Sequence, residues 1–353
     1  MNYIVNKRSF TDGSKNIILF ILLFFALLLL FIFNVAFGSV NIALTDLFSI
    51  LLGSGSEDGP AYYIIHRSRL PQAVTATLAG AALAVGGLQM QALFRNPLAD
   101  PSILGVSSGA GLGVAVVLMM GGISGFVLSK MGWVGHLTIT TAAFAGALLV
   151  LFFILMLANK LRDNAMLLIA GIMVGYGASA LVGILKFYSM QEDVHAFVIW
   201  GLGSFASVSW SRMEVFFPVL MVALAGSLLL IKPLNLMMLG DNYASNLGVN
   251  IRLFRFLILG CTGLLTATVT AFCGPIAFLG LAVPHLTRGV FKTSNQQILV
   301  PAVMLSGAIV ALFSNLIARM PGFDGALPIN AVTSMIGAPV VIWVILRNRK
   351  VLQ

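Results

Sequence analysis

Long apolar stretches alternate with short polar segments along almost the whole chain, from Ile17 to Leu346. Several stretches reach about 20 residues, the length at which an α-helix crosses the hydrocarbon core of a bilayer. The pattern predicts an all-α polytopic membrane protein with ten transmembrane helices in residues 17–346 and short tails at 1–16 and 347–353. The predicted helices lie at 17–37, 69–93, 105–120, 138–158, 166–186, 214–231, 252–272, 275–290, 297–318 and 328–346.

The composition supports this class. The chain has 353 residues, of which 59% are hydrophobic and only 9% are charged, whereas about 25% of an ordinary soluble domain is charged. The net charge is +9, but the basic residues fall in loops between the predicted helices. That pattern sets membrane orientation and does not indicate nucleic-acid binding. If both termini are cytoplasmic, 14 of the 20 Lys and Arg residues lie on the cytoplasmic side, which predicts that orientation.

The stretch from Arg69 to Ala110 has the most distinctive local pattern. An apolar helix over about 70–93 is predicted to end at a polar turn, 95–101, which holds two prolines and an Asn/Asp pair. A second helix follows from near Gly105. Small side chains let helices pack closely in lipid, and they are concentrated in the first helix at Gly80, Ala81, Ala82, Ala84, Gly86 and Gly87.

The predicted cytoplasmic segment 233–255 is too polar to span a membrane and too apolar for a plain linker. Its apolar residues can line one side of short helices that are broken by Gly240 and Gly248. Such a surface indicates either a docking site for a partner protein or a helix that lies on lipid, and the pattern alone does not separate the two. The apolar residues are Leu236, Met237, Leu239, Ala244 and Leu247.

The sequence predicts no catalytic or metal site. The histidines are His66, His136, His195 and His285, and none has a second ligand at helical spacing. No ionisable residue lies in the middle of a predicted helix, which weakens the case for an ion-coupled carrier, although such carriers can also hold ions with backbone carbonyls. A phosphate-binding loop of the form GxxxxGK[ST] is absent from the sequence, so any ATPase would be a separate chain.

Several motifs together resemble the FecCD-type permeases of bacterial type II ABC importers, which carry vitamin B12, haem and ferric siderophores. The resemblance covers nearly the whole chain and keeps the family's order and spacing. It rests on RLP at 69–71, QALFRNPLADP at 91–101, LGVSSGA at 104–110, LGD at 239–241 with Ala244 and Leu247-Gly248, GPIAFLGL at 274–281, Pro284-His285 with Arg288, LPI at 327–329 and IGAP at 336–339.

The resemblance implies the type II ABC importer permease fold and a multi-pass position in the bacterial inner membrane. It implies a homodimer with one path between the copies, two ABC ATPase subunits, and a periplasmic substrate-binding protein. The permease would not be an enzyme and would bind no cofactor, because ATP and Mg belong to the ATPase. Membrane lipid would surround it, and ATP hydrolysis would drive alternating access.

The resemblance also assigns roles to individual residues. Relatives often have a second basic residue where this chain has Gln72, so docking of the binding protein is expected to use Arg67 or fewer charges. The implied sites are ATPase coupling by Leu239, Gly240, Asp241, Ala244, Leu247 and Gly248, binding-protein docking by Arg69 and Arg319, and a cytoplasmic gate at Asn164 and Ala165. Candidate path-lining residues are Met166, Met173, Tyr176, Ser179, Asn330, Thr333, Ser334 and Met335.

The cargo is the least determined feature. A ferric siderophore or haem is favoured only because the family serves iron most often, and cobalamin is the alternative within the same machinery. Outside this class, the main alternative is an ion-coupled secondary transporter, followed by a membrane-embedded enzyme.

Overall fold

A computed structural model of the chain describes residues 3–38, 40, 42, 50, 59–120, 131–161, 163–320 and 326–348. These residues form helices and the turns between them, which confirms the all-α prediction. Seven of the described helices are long and apolar enough to cross a membrane, and two shorter apolar helices lie at Val106–Met120 and Ile329–Trp343. The helices are α1 Tyr3–Ala36, α2 Pro60–Ile64, α3 Leu70–Phe94, α4 Val106–Met120, α5 Trp133–Lys160, α6 Asn164–Tyr188, α7 Gln191–Gly201, α8 Trp210–Leu229, α9 Ile231–Met238, α10 Asp241–Asn246, α11 Ile251–Cys273, α12 Leu279–Phe291, α13 Gln296–Ala318 and α14 Ile329–Asn348.

Each of the ten predicted transmembrane helices corresponds to a helix, with some shifts at the ends. The first begins at Tyr3, so most of the predicted tail 1–16 is helical. The second extends back to Pro60 through one turn of π-helix, Ile65–Arg69. The eighth is shorter than predicted, because residues 274–278 are not helical and Phe278 has a left-handed backbone (φ 69°). The 11-residue helix α7 was not predicted.

Helix α3 lies at the centre of the bundle and α1 lies at its edge. In the most apolar 18-residue window of each span, 83% of residues are buried for Pro60–Phe94 and none for Gly13–Ala36. The predicted close packing is confirmed at Gly80 and Gly87. A Cβ at either position would overlap a backbone carbonyl, that of Gly307 in α13 or that of Gly280 in α12. Backbones can approach this closely only where side chains are absent.

A buried chain of amide side chains joins α1, α3 and α13. Gln72 Nε2 donates to Asn315 Oδ1 at 2.9 Å, and Asn315 Nδ2 donates to Asn34 Oδ1 at 2.8 Å. Asn34 Nδ2 in turn donates to the carbonyl of Leu312 at 3.0 Å. Buried polar groups require such partners, so these amides fix the three helices against one another.

The two ends of α3 define two faces of the molecule. At about 1.5 Å per residue, its 25 residues separate those ends by nearly 40 Å. We call one the Arg69 face, which holds Arg69, the end of α1 and Arg319. We call the other the Asp241 face, which holds Arg95, α9, α10 and the start of α6.

Candidate functional site

The turn after α3 is fixed by its own side chains. Arg95 ends the helix in a left-handed conformation (φ 46°). Asn96 Oδ1 accepts from the backbone N–H of Leu98 at 2.9 Å. Asp100 Oδ1 accepts from the backbone N–H of Ser102 at 2.9 Å and from its hydroxyl at 2.6 Å. Asn and Asp stabilise turns through such local hydrogen bonds, which explains why these residue types stand in this motif.

The same turn is attached to α12. His285 Nε2 lies 2.6 Å from the carbonyl oxygen of Pro97, a residue 188 positions away in the chain. Arg288 Nη1 donates to Gln91 Oε1 at 2.7 Å, and Gln91 Nε2 donates to the carbonyl of Leu281 at 3.3 Å. Two motifs that are far apart in sequence therefore form one structural unit at the Asp241 face.

The segment 231–248 forms two short helices, α9 and α10, as predicted from its glycines. Gly240 (φ 123°) separates the helices and Gly248 (φ 85°) follows α10. The prediction that the apolar residues share one side is wrong, because some of them are buried and others are exposed. Leu239 and Leu247 are 65% and 55% exposed, whereas Ala244 is fully buried. Ala244 therefore holds α10 on the bundle, and the two leucines face outward.

Asp241, at the start of α10, lies between two arginines. Arg95 Nη2 donates to Asp241 Oδ1 and, at 2.9 Å, to the carbonyl of Met237. Arg255 Nη2, from the first turns of α11, lies 3.8 Å from Asp241 Oδ2. The position at a helix N-terminus also favours a carboxylate. Asp241 thus anchors α10 within its own chain and is only partly exposed.

A second set of hydrogen bonds attaches α9 to the start of α13. Asn235 Nδ2 donates to Asn295 Oδ1 at 3.0 Å, and Asn235 Oδ1 accepts from the backbone N–H of Gln296 at 2.9 Å. Gln296 Nε2 lies 3.0 Å from Met238 Sδ. Both short helices are therefore tied to transmembrane helices.

The predicted gate residues occupy the first turn of α6. Asn164 Nδ2 donates to the carbonyl of Leu93 at the end of α3, at 2.9 Å. Asp163 caps the helix, since its Oδ1 accepts from the backbone N–H of Ala165 at 2.8 Å. Ala165 and the adjacent Met166 are exposed. The assignment of a gate to these residues stays a prediction.

Arg69 does not have the exposed position that docking requires. Its side chain is only 1% exposed. Nη1 donates to the carbonyls of Val35 at 3.0 Å and Ala36 at 2.5 Å, and Nη2 donates to the carbonyl of Val40. The last carbonyls of a helix lack intrahelical partners, and here the guanidinium supplies the donors. Arg69 therefore fixes the end of α1, and the docking role predicted for it is corrected.

Other arginines of the Arg69 face remain accessible. Arg67 is exposed, and its guanidinium carbon lies 5.3 Å from the centre of the Tyr63 ring. Arg319 is partly buried beside Arg69, and burial together with the Arg69 charge lowers the pKa of Arg319 to about 10, so it remains cationic at neutral pH. Gln72 is buried in the amide chain, so this departure from the family pattern does not remove a surface contact.

Helices α6 and α14 carry apolar side chains that no described residue covers. On α6 they follow helical spacing along one face and are exposed at Met166 58%, Ile169 56%, Met173 55% and Tyr176 67%. On α14, Met335 is 82% exposed. Thr333 is only 2% exposed, which removes it from the candidate path-lining residues.

The comparisons with known proteins agree with this architecture. A sequence profile of the FecCD transport family matches residues 26–347. The chain belongs to the FecCD transport family. Its members are transport permeases and not catalytic subunits, so this chain is the multi-pass membrane permease of an ABC importer.

Similar FecCD permeases include proteins named vitamin B12 import system permease protein BtuC. The one from Klebsiella pneumoniae is 38% identical over 286 residues, which is 81% of this chain and 83% of the relative. The one from Salmonella typhi is 36% identical over 287 residues, 80% of this chain and 83% of the relative. A solved structure, described as an inward-facing conformation of a candidate metal-chelate type ABC transporter, has a TM-score of 0.79 at 30% identity and covers 92% of this chain and 98% of its own.

Proposed function

We propose that this chain is the permease subunit of an importer for cobalamin, in which two copies form one path and partner ATPase subunits supply the energy. The choice of cobalamin as cargo rests on the sequence identity of 36–38%, over four fifths of the chain, to permeases named for vitamin B12 import. Cobalamin is itself a metal chelate, which agrees with the description of the solved structure. Cobalamin therefore replaces the ferric siderophore or haem that was favoured because the family serves iron most often.

The surface that α9 and α10 present is proposed to bind the ATPase. Leu239 and Leu247 are exposed and directly follow α9 and α10, which are anchored on three transmembrane helices. A helix that lies on lipid needs a broad apolar face bordered by basic residues. Helix α10 lacks that face, because its exposed positions include the polar residues Asn242, Ser245 and Asn246. A protein partner therefore fits this surface better than lipid does.

The exposed faces of α6 and α14 are proposed to line the path together with a second copy of the chain. Their methionines and tyrosine are uncharged and offer few directional contacts. Such a lining suits a large cargo, because strong local binding would slow its release. Closure of the ATPase dimer would move α9 and α10, and the bundles would rock to open one side at a time.

The orientation follows from the same assignment. The Asp241 face would lie in the cytoplasm, with both termini, and the Arg69 face would meet a periplasmic binding protein. Arg67 and Arg319 would supply the cations for that contact. Charges of this kind, at the rim of an interface, mainly set orientation and association rate. The membrane would be the bacterial inner membrane.

Transport in proteoliposomes tests the proposal. The chain is reconstituted with its ATPase and binding protein, and uptake of labelled cyanocobalamin, haem and a ferric siderophore is measured with ATP and with ADP. We expect uptake of cyanocobalamin that requires ATP. ATP-dependent uptake of only haem or the siderophore would overturn the cargo. Uptake that ignores ATP and follows an ion gradient would overturn the coupling to an ATPase.

A further inference from the structure

The contacts at the Asp241 face form a closed circuit between α10 and the first turn of α6. One arm consists of Arg95, which joins the end of α3 to Asp241. The other arm consists of Arg255, whose Nη2 lies 3.8 Å from Asp241 Oδ2 and whose Nη1 donates to the carbonyl of Leu161 at 3.1 Å. Leu161 precedes Asn164 by three residues, and Asn164 binds back to Leu93 at the end of α3.

The two arms differ in what they connect. Arg95 makes both of its contacts, to Asp241 and the carbonyl of Met237, within the segment of α9 and α10. It holds that segment against α3, which is the buried centre of the bundle. Arg255 instead joins Asp241 to the chain that leads into α6. A movement of Asp241 relative to α3 therefore reaches the start of α6 through Arg255.

The guanidinium of Arg255 is only partly paired. The residue is only 7% exposed, so its charge needs a partner. Its distance of 3.8 Å from Asp241 is that of an ion pair and is longer than a hydrogen bond. Its Nε is buried without an acceptor among the residues that the structure describes. The N–H on Nε is therefore available to form a new hydrogen bond when Asp241 moves.

We propose that Arg255 is a positioning residue that transmits displacement of α10 to Asn164 and Ala165 in the first turn of α6. The inference rests on the proposed function, because the displacement is attributed to a partner ATPase. The structure gives Arg255 a contact with Asp241 and another with Leu161, so among the described residues it links the docking segment to the chain three residues before the predicted gate. Residues in such networks alter the coupling between two sites without touching either ligand.

The test uses the complete complex in lipid nanodiscs, with a spin label at Ala165→Cys in a background in which Cys261 and Cys273 are alanine. The distance between the labels of the two copies is measured without nucleotide and with ATP plus vanadate. Arg255→Gln is expected to reduce the change in distance while ATP hydrolysis continues. Uptake of cyanocobalamin per ATP hydrolysed in proteoliposomes is expected to fall by about 2- to 30-fold.

Arg252→Gln is the matched control, because Arg252 is exposed one turn earlier on α11 and lies outside the circuit. It should keep both the distance change and the uptake ratio. Arg255→Lys retains the charge without the fork, so it should restore assembly but only part of the distance change. If Arg255→Gln does not assemble, Asp241→Asn removes the charge partner of both arginines and should give the same loss of response. Arg95→Gln, which interrupts the other arm alone, should keep the distance change.

The outcomes separate the two proposals. If the wild type takes up cyanocobalamin with ATP and Arg255→Gln keeps its distance change, the positioning role is overturned and the function stands. If Arg252→Gln loses as much of the distance change and of the uptake ratio as Arg255→Gln, the positioning role is also overturned. The effect would then come from the net charge of this region. If the wild type shows no ATP-dependent uptake, both proposals fall.

Discussion

Helix α3 begins after one arginine and ends before another, and the two residues behave in opposite ways. Arg69 is buried and donates to three backbone carbonyls around the end of α1. The side chain of Arg95 is 44% exposed, and it pairs with Asp241, which is 37% exposed. An exposed ion pair contributes roughly 0–1 kcal/mol and can rearrange, whereas buried carbonyls left without a donor are costly.

The difference indicates which end of the bundle is fixed and which can move. At the Arg69 face, Arg69 donates to carbonyls around the end of α1, and buried amide side chains join α1, α3 and α13. At the Asp241 face, charged side chains hold a short segment through contacts that water and a second arginine can replace. Movement driven by a partner is therefore expected at the Asp241 face, with the Arg69 end of α3 as the fixed reference.

The largest expected effect comes from Arg69→Met. The change leaves the carbonyls of Val35, Ala36 and Val40 without their donor, at about 1–3 kcal/mol for each one that stays buried and unpaired. We expect a lower melting temperature and a reduced yield of monodisperse protein in detergent. Arg67→Met is the control, since an exposed substitution of this kind changes stability by about 0.5 kcal/mol or less. Equal melting temperatures for the two variants would contradict the anchoring role of Arg69.

A smaller effect on the fold, but a strong effect on transport, is expected from Asp241→Lys. The lysine would place a third cation beside Arg95 and Arg255, and two like charges 4 Å apart repel by about 1–4 kcal/mol between the limits of water and a protein surface. Uptake per ATP hydrolysed should fall, and the melting temperature should fall by less than it does for Arg69→Met. Asn242→Lys adds a charge at the next, exposed position of α10. If it impairs transport equally, the effect lies at the ATPase contact and not in the arginine pair.

The sequence was sufficient for the features that depend on local pattern. Apolar stretches of about 20 residues predicted the long helices, Asn96 and Asp100 with two prolines predicted the turn, and Gly240 predicted the break between α9 and α10. Each of these follows from residues close together in the chain. The late start of α12, at Leu279 and not at residue 275, was not predicted. Phe278 has a left-handed backbone, and phenylalanine does not favour that conformation.

Features that depend on distant partners were not predictable in the same way. Arg69 reads as an interfacial cation until its acceptors, 29 to 34 residues earlier in the chain, are placed beside it. Asp241 reads as a surface acid until Arg95, 146 residues away, reaches it. The burial of Ala244 depends on how α10 packs against the bundle. The resemblance to the family assigns roles to segments, but only tertiary contacts distinguish an anchor from a contact surface.

The smallest expected effect concerns the exposed charges of the Arg69 face and tests whether docking uses them. Arg67→Glu with Arg319→Glu should slow association of the binding protein by about tenfold at low salt, within the range of electrostatic steering. The difference should shrink at 0.15 M salt, where the screening length is about 8 Å compared with about 30 Å at 0.01 M. Lys186→Glu, at the end of α6, is the control, and its change in charge matches that of Arg67→Glu alone. An equal slowing by that variant would return Arg67 and Arg319 to the role of interfacial cations, because only the overall charge of the face would then matter.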